Sequence, residues 1–211
     1  MNINDACYQA VIICARYGDQ GNERQKLALA WEQEIRSCIE DDKRKLTGLQ
    51  FIFPGVTLFY IEGLEDDLNE CIRLLNTLAN KQMYGLNKIK IVHFLHNLRA
   101  PLLGTWSYKI LDPAIRNETS DQEEHKTELL KMILQIVSTL SKQPPLTVKK
   151  SIENLAEKMS RSIPDSAMLE TILRDGTLMD TYQYIQMVLN QRGIILDSEI
   201  VWPVPKLIYK Y

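Results

Sequence analysis

Hydrophobic and polar positions change their spacing several times along this chain, and each change marks an element. Residues 8–16 (YQAVIICAR) are a short apolar run rich in β-branched side chains, which predicts a buried strand. Gly18, Gly21 and Asn22 break it. From 23 to 41 the apolar residues Leu27, Ala30, Trp31, Ile35, Cys38 and Ile39 recur every three or four positions, one stripe of an amphipathic helix. The charged run 41–45 ends that helix. Residues 46–53 and 56–62 are β-rich stretches split only by Pro54-Gly55, a dipeptide that predicts a tight hairpin. Gly63 closes the second strand. Residues 64–80 repeat the helical stripe through Leu64, Leu68, Cys71, Ile72, Leu75 and Leu78. Residues 88–95 (KIKIVHFL) open with period-two alternation, the pattern of a strand with one wetter face. Residues 104–111 (GTWSYKIL) predict one more short strand.

The order β-α-β-β-α-β predicts an α+β, ferredoxin-like domain over 8–112, with both helices on one face of an antiparallel sheet. At roughly 25 cal/mol per Å² of apolar area, two such stripes against a sheet supply most of the folding drive. Residues 117–124 (NETSDQEE) are polar and acidic, a linker or helix start. Over 121–193 the pattern is a helical extension. Helices are expected at 123–140, at 147–161 after Pro144-Pro145, from Asp165 as N-cap to Arg174, and at 178–192 with Gly193 as C-cap. The tail 194–211 (IILDSEIVWPVPKLIYKY) is apolar and β-prone, but Pro203 and Pro205 bar it from a central strand. It reads as an edge strand or extended arm.

Composition narrows the partners. The chain has 211 residues, 25 basic and 27 acidic, for a net charge of −2, so no global pull towards nucleic acid or an anionic membrane follows. Residues 1–5 are polar and lack a basic n-region, so no signal peptide is expected, and no apolar run reaches the roughly 18–20 residues of a membrane span. The four cysteines, Cys7, Cys14, Cys38 and Cys71, form no CxxC pair, and they read as reduced thiols in a cytoplasmic protein.

Other candidate chemistry weakens on inspection. His93 and His96 stand three apart on a strand, hence on opposite faces, and His125 is remote, so no metal site is expected. Glu62, Glu65, Asp66 and Asp67 cluster as an acid–base pair would, yet acidic residues in a helix's first turn usually complement its dipole. Gly18-x-x-Gly21 lacks the ending of a phosphate loop. Lys43-Arg44-Lys45 faces Glu40, Asp41 and Asp42 and reads as a solvated loop. No catalytic residue is assigned.

The run Leu46-Thr47-Gly48-Leu49 through Phe59-Tyr60-Ile61-Glu62-Gly63 resembles the central hairpin of BLUF domains. Thr47-Gly48, Gly55 and Glu62-Gly63 fall in that family's register, and the flanking helices and Gly104-x-Trp106 agree in order. The whole chain, extension included, is similar to the testis-expressed, flagellum-associated BLUF-like proteins of eukaryotes. The resemblance implies a flavin between the two helices, read by a glutamine–tyrosine pair. Here the glutamine position, four before the glycine of Glu-Gly, is Phe59, which offers no donor or acceptor. Tyr17 falls at the tyrosine position, although a second register puts Ala15 there. The asparagine position is Asp41. Trp106 matches the family tryptophan, and the methionine two residues on is Tyr108.

With both amides replaced, neither photochemistry nor a bound FAD or FMN is expected. A retained flavin would be lined by Tyr17, Asp41, Phe59, Trp106 and Tyr108. The leading expectation is a non-enzymatic structural or interaction module. By resemblance it sits in a cilium or flagellum axoneme and binds other proteins through Trp202, Pro203, Val204, Pro205, Ile208 and Tyr209. The rivals are a flavin-binding light or redox sensor and a small acylphosphatase-like enzyme on the same scaffold.

Overall fold

A computed structural model of the chain describes residues 7–18, 23–37, 46–112 and 122–190. Asp41, Cys38, Gly193 and the whole predicted partner-contact set Trp202, Pro203, Val204, Pro205, Ile208 and Tyr209 lie outside them. The apolar runs become one five-stranded sheet of order β4-β1-β3-β2-β5. β1 (Tyr8–Tyr17) sits near its centre, antiparallel to β3 (Val56–Leu64) and to β4 (Leu86–Leu98). β2 (Thr47–Phe53) returns antiparallel to β3 through Pro54-Gly55, with Gly55 at φ +77° where side chains are disfavoured. β5 (Trp106–Ile110) runs parallel to β2. The first four strands are the predicted ferredoxin-like antiparallel core.

α1 (Arg24–Ser37) and α2 (Glu65–Asn80) cover one face. Their stripes, Leu27, Ala28, Trp31 and Ile35 on α1 and Leu68, Cys71, Ile72, Leu75 and Leu78 on α2, pack on Val11, Ile13, Phe59 and Ile61. The opposite face, Ala10, Ile12, Cys14, Phe51 and Leu58, is covered by the extension: α3 (Gln122–Ser141), α4 (Pro145–Glu153) and α6 (Ser166–Arg174). Both faces are therefore dry, and that is why β1 to β3 read as unbroken apolar runs rather than alternating ones. Arg16 ties the end of β1 to α6 through Glu170 (Nε to Oε1 3.2 Å).

The extension departs from its predicted boundaries. α4 starts at Pro145 and is interrupted at Asn154, so α5 (Leu155–Lys158) and a 3₁₀ turn (Ser160–Ser162) replace one continuous helix. Asp165 caps α6 as expected, its carboxylate accepting from Met168 N–H at 2.7 Å. The last helix starts three residues late. Leu178 is drawn to β4, where its carbonyl accepts from Lys90 Nζ at 2.6 Å. Asp180 then caps α7 (Thr181–Tyr184), which widens into a π turn at Ile185–Leu189.

Two close approaches hold the hairpin together. A Cβ at Gly48 would lie 2.1 Å from the Tyr60 carbonyl oxygen, so only glycine lets β2 and β3 meet there. Glu62 is fully buried and accepts four hydrogen bonds: from Thr47 Oγ1 (2.9 Å), Tyr60 OH (2.8 Å), Leu102 N–H (3.1 Å) and Leu103 N–H (3.0 Å). Burial first, then the Glu62 charge, pushes the Tyr60 phenol well above its ordinary range.

One pH effect arises in the joint after α6. Asp175 accepts from the Thr177 hydroxyl (2.7 Å) and N–H (2.8 Å) and pairs with Lys126. The hydroxyl bond leads in holding its carboxyl below the usual aspartate range. A depressed native pKa gives stability that is complete above the unfolded-state pKa and is lost as pH falls through the folded one. Asp175→Asn is expected to flatten the acid limb of a denaturation-midpoint-versus-pH profile. An unchanged limb refutes this role.

Candidate functional site

The face under α1 and α2 is where a BLUF-like protein would hold its ring. In cross-strand register it carries Ile13, Phe59, Gln50 and Tyr108 in one row over β1, β3, β2 and β5. Trp106, opposite Gly48, stands one pleat away. The sheet thus brings together four of the five predicted lining residues, Tyr17, Phe59, Trp106 and Tyr108. The fifth, Asp41, lies outside the described residues.

Aromatic rings fill this face. Trp31 projects from the buried stripe of α1, its ring centroid 5.3 Å from Tyr17 and 6.0 Å from Phe59, both edge-on. Tyr17, Trp31 and Phe59 expose 2%, 0% and 1% of their surface, so this part of the slot is solid core. Tyr17 ends β1, one residue beyond the predicted strand, and its hydroxyl donates to the Phe53 carbonyl.

The polar content of the face is small. Gln50 is wholly buried and donates from Nε2 to Thr57 Oγ1 at 3.1 Å. Among the described residues its Oε1 has no partner, and neither have the indole N–H groups of Trp31 and Trp106. A flavin ring needs several donors and acceptors along its polar edge and a planar gap to enter. The described residues offer one amide and no gap beside Trp31, so they fit the ring poorly.

Sequence reading missed Gln50 and the weight of Trp31. An amide is absent at Phe59, yet one stands directly opposite it on β2. The signal was present: a lone polar residue inside the apolar run Leu49-Gln50-Phe51-Ile52-Phe53 has to be buried with a partner.

The remaining candidates scatter. Glu62 points to the extension's side of the sheet, whereas Glu65 begins α2 and accepts from Gln9 Nε2 at 3.0 Å, so the acidic run is no acid–base pair. His93 and His96 are exposed on β4, His96 stacking on Phe94 (5.9 Å), and His125 is buried on α3. Cys14 is buried, its thiol pushed far above the ordinary range by burial first and Glu170 second, which makes it unreactive.

A five-stranded sheet in this order, with two helices over one face, is a ferredoxin-like α+β fold. Solved structures of that kind are similar at low identity. A bacterial light-regulated adenylyl cyclase is 17% identical over 69% of this chain and 39% of its own, with a TM-score of 0.37. BlsA in its photo-activated state is 14% identical over 70% and 94% at 0.39, and the BLUF domain of BlrP1 is 12% identical over 71% and 88% at 0.36. The chain spans well under half the length of that cyclase. Over residues 8–190 it matches the testis-expressed protein 47 family, and it belongs to that family. No helix among the described residues is long and apolar enough to cross a membrane.

Proposed function

We propose that this protein is a non-enzymatic interaction or structural module that works without flavin, in the axoneme of a cilium or flagellum. The observation that carries the first half is the Tyr17–Trp31–Phe59 cluster, which packs side chains where a BLUF-like fold would bind a ring. Support for the second half is coarser. It comes from the family's testis-expressed description, since flagellated cells are built in that tissue. Trp202, Pro203, Val204, Pro205, Ile208 and Tyr209 remain the tail contacts proposed for a partner, on the ground that Trp and Tyr anchors beside proline suit docking.

Gln50 is the one observation that favours the flavin rival, because its unpaired carbonyl lies across from the expected glutamine position. One preparation tests both readings. Full-length protein is incubated with FAD, FMN or riboflavin, desalted and denatured, beside a pull-down with and without residues 194–211. The expected result is no flavin released, none gained by Phe59→Gln, and partners recovered only with the tail. Stoichiometric flavin after desalting would sink the first half, and partners retained without the tail would sink the proposed contacts.

A further inference from the structure

We propose that the outer edge of β5 accepts an extended segment of a partner protein as a sixth strand. This deepens the interaction reading above and rests on it. In a parallel pair, alternate residues of a strand bond to a given neighbour. Gly48 N–H donates to the Thr105 carbonyl, and Leu111 N–H donates to the Ile52 carbonyl at 2.9 Å. The odd-numbered residues of β5 therefore face β2, and Trp106, Tyr108 and Ile110 turn their main chain outward. The N–H and C=O groups of Tyr108 and Ile110 meet no partner among the described residues.

Among the described residues the edge is flanked but not closed. α1 and α4 stand on either side of a cleft of about 240 Å³ floored by Trp106, Ser107 and Tyr108, with Glu32, Lys149 and Ile152 on its walls. Trp106 Nε1 and Ser107 Oγ are buried without a partner among the described residues. An edge lysine usually blocks strand addition. Here Lys109 is drawn back to α4, its Nζ donating to the Glu153 carbonyl at 2.5 Å. The opposite edge differs: Ile91 N–H on β4 is already taken by the Met179 carbonyl at 2.9 Å, and Val92 is an extra residue in the pairing with β1, a bulge.

The occupant's chemistry follows from the lining. Glu32, Glu153 and Lys149 line the cleft, and Glu32 is already paired with Arg36 at 2.6 Å, so the lining is close to neutral and favours neither a free anion nor a free cation. A neutral peptide matches the alternating main-chain groups, with an apolar side chain entering over Trp106 and Ile152.

Phage-displayed random linear peptides selected on the full-length protein test this, followed by hydrogen exchange and binding of the enriched peptides as synthetic ligands. The expected peptides slow exchange at Tyr108 and Ile110 and bind about tenfold more weakly to Ile110→Pro, the worth of roughly one or two main-chain bonds. Because that variant can also disturb the edge, peptides N-methylated at alternate amides serve as a second probe. Methylation in one phase abolishes binding and in the other leaves it intact. The inference is overturned by failure to enrich any peptide, by phase-independent methylation, or by slow exchange of both amides in the free protein. Self-association that Ile110→Pro removes also overturns it, assigning the edge to a second copy. Partners that come down in a pull-down with no change at Tyr108 or Ile110 keep the interaction reading and discard the edge.

Discussion

Trp31→Ala is expected to destabilise the protein by about 3–5 kcal/mol, the cost of removing a buried aromatic side chain from a packed core. At about 2–4 °C per kcal/mol for a chain of this size, the melting temperature falls by roughly 10 °C. The indole is fully enclosed and touches Tyr17 and Phe59 edge-on, so its loss leaves a cavity that three separate elements would have to move to fill. Trp31→Phe should cost far less, about 1–2 kcal/mol, because it also removes an indole N–H that has no partner among the described residues. Urea midpoints of the two variants decide the matter. If alanine and phenylalanine cost the same, or alanine costs under about 1 kcal/mol, the slot is not packed as described and the flavin-free reading loses its support.

Glu62→Ala is the second large effect, about 4 kcal/mol or more. The carboxylate is the shared acceptor of two hydroxyls and two main-chain amides. Alanine strands all four donors at a fully buried position. Glu62→Gln keeps one acceptor oxygen but turns an NH₂ group towards donors, so about half the loss is expected. Because Leu102 and Leu103 precede β5, hydrogen exchange at their amides should quicken in both variants before global unfolding. The proposal for Glu62 fails if those amides stay protected while stability drops, since the loss would then come from the β2–β3 pair alone.

Local signals carried well. The hairpin at Pro54-Gly55, the Leu27, Trp31 and Ile35 positions of the α1 stripe, the stripe of α2 and the Asp165 cap depend on neighbours within a few residues, and each stands where its pattern placed it. Boundaries failed where a distant strand competed. Leu178 gives its carbonyl to Lys90 instead of to a helix, and Asn154 interrupts a stripe that was continuous on paper.

The amino-acid sequence alone determined the order of elements and the ferredoxin-like class, because propensity, period and turn chemistry are properties of adjacent residues; that Phe59 stands at a glutamine position is what the resemblance to BLUF domains implies. Only the tertiary structure decided which face each side chain took. A strand buried on both sides carries no alternation to tell its faces apart, so Glu62's turn towards the extension, Gln50's place opposite Phe59 and the outward main chain of Tyr108 and Ile110 emerge only once strand register is set by pairings far apart in the chain.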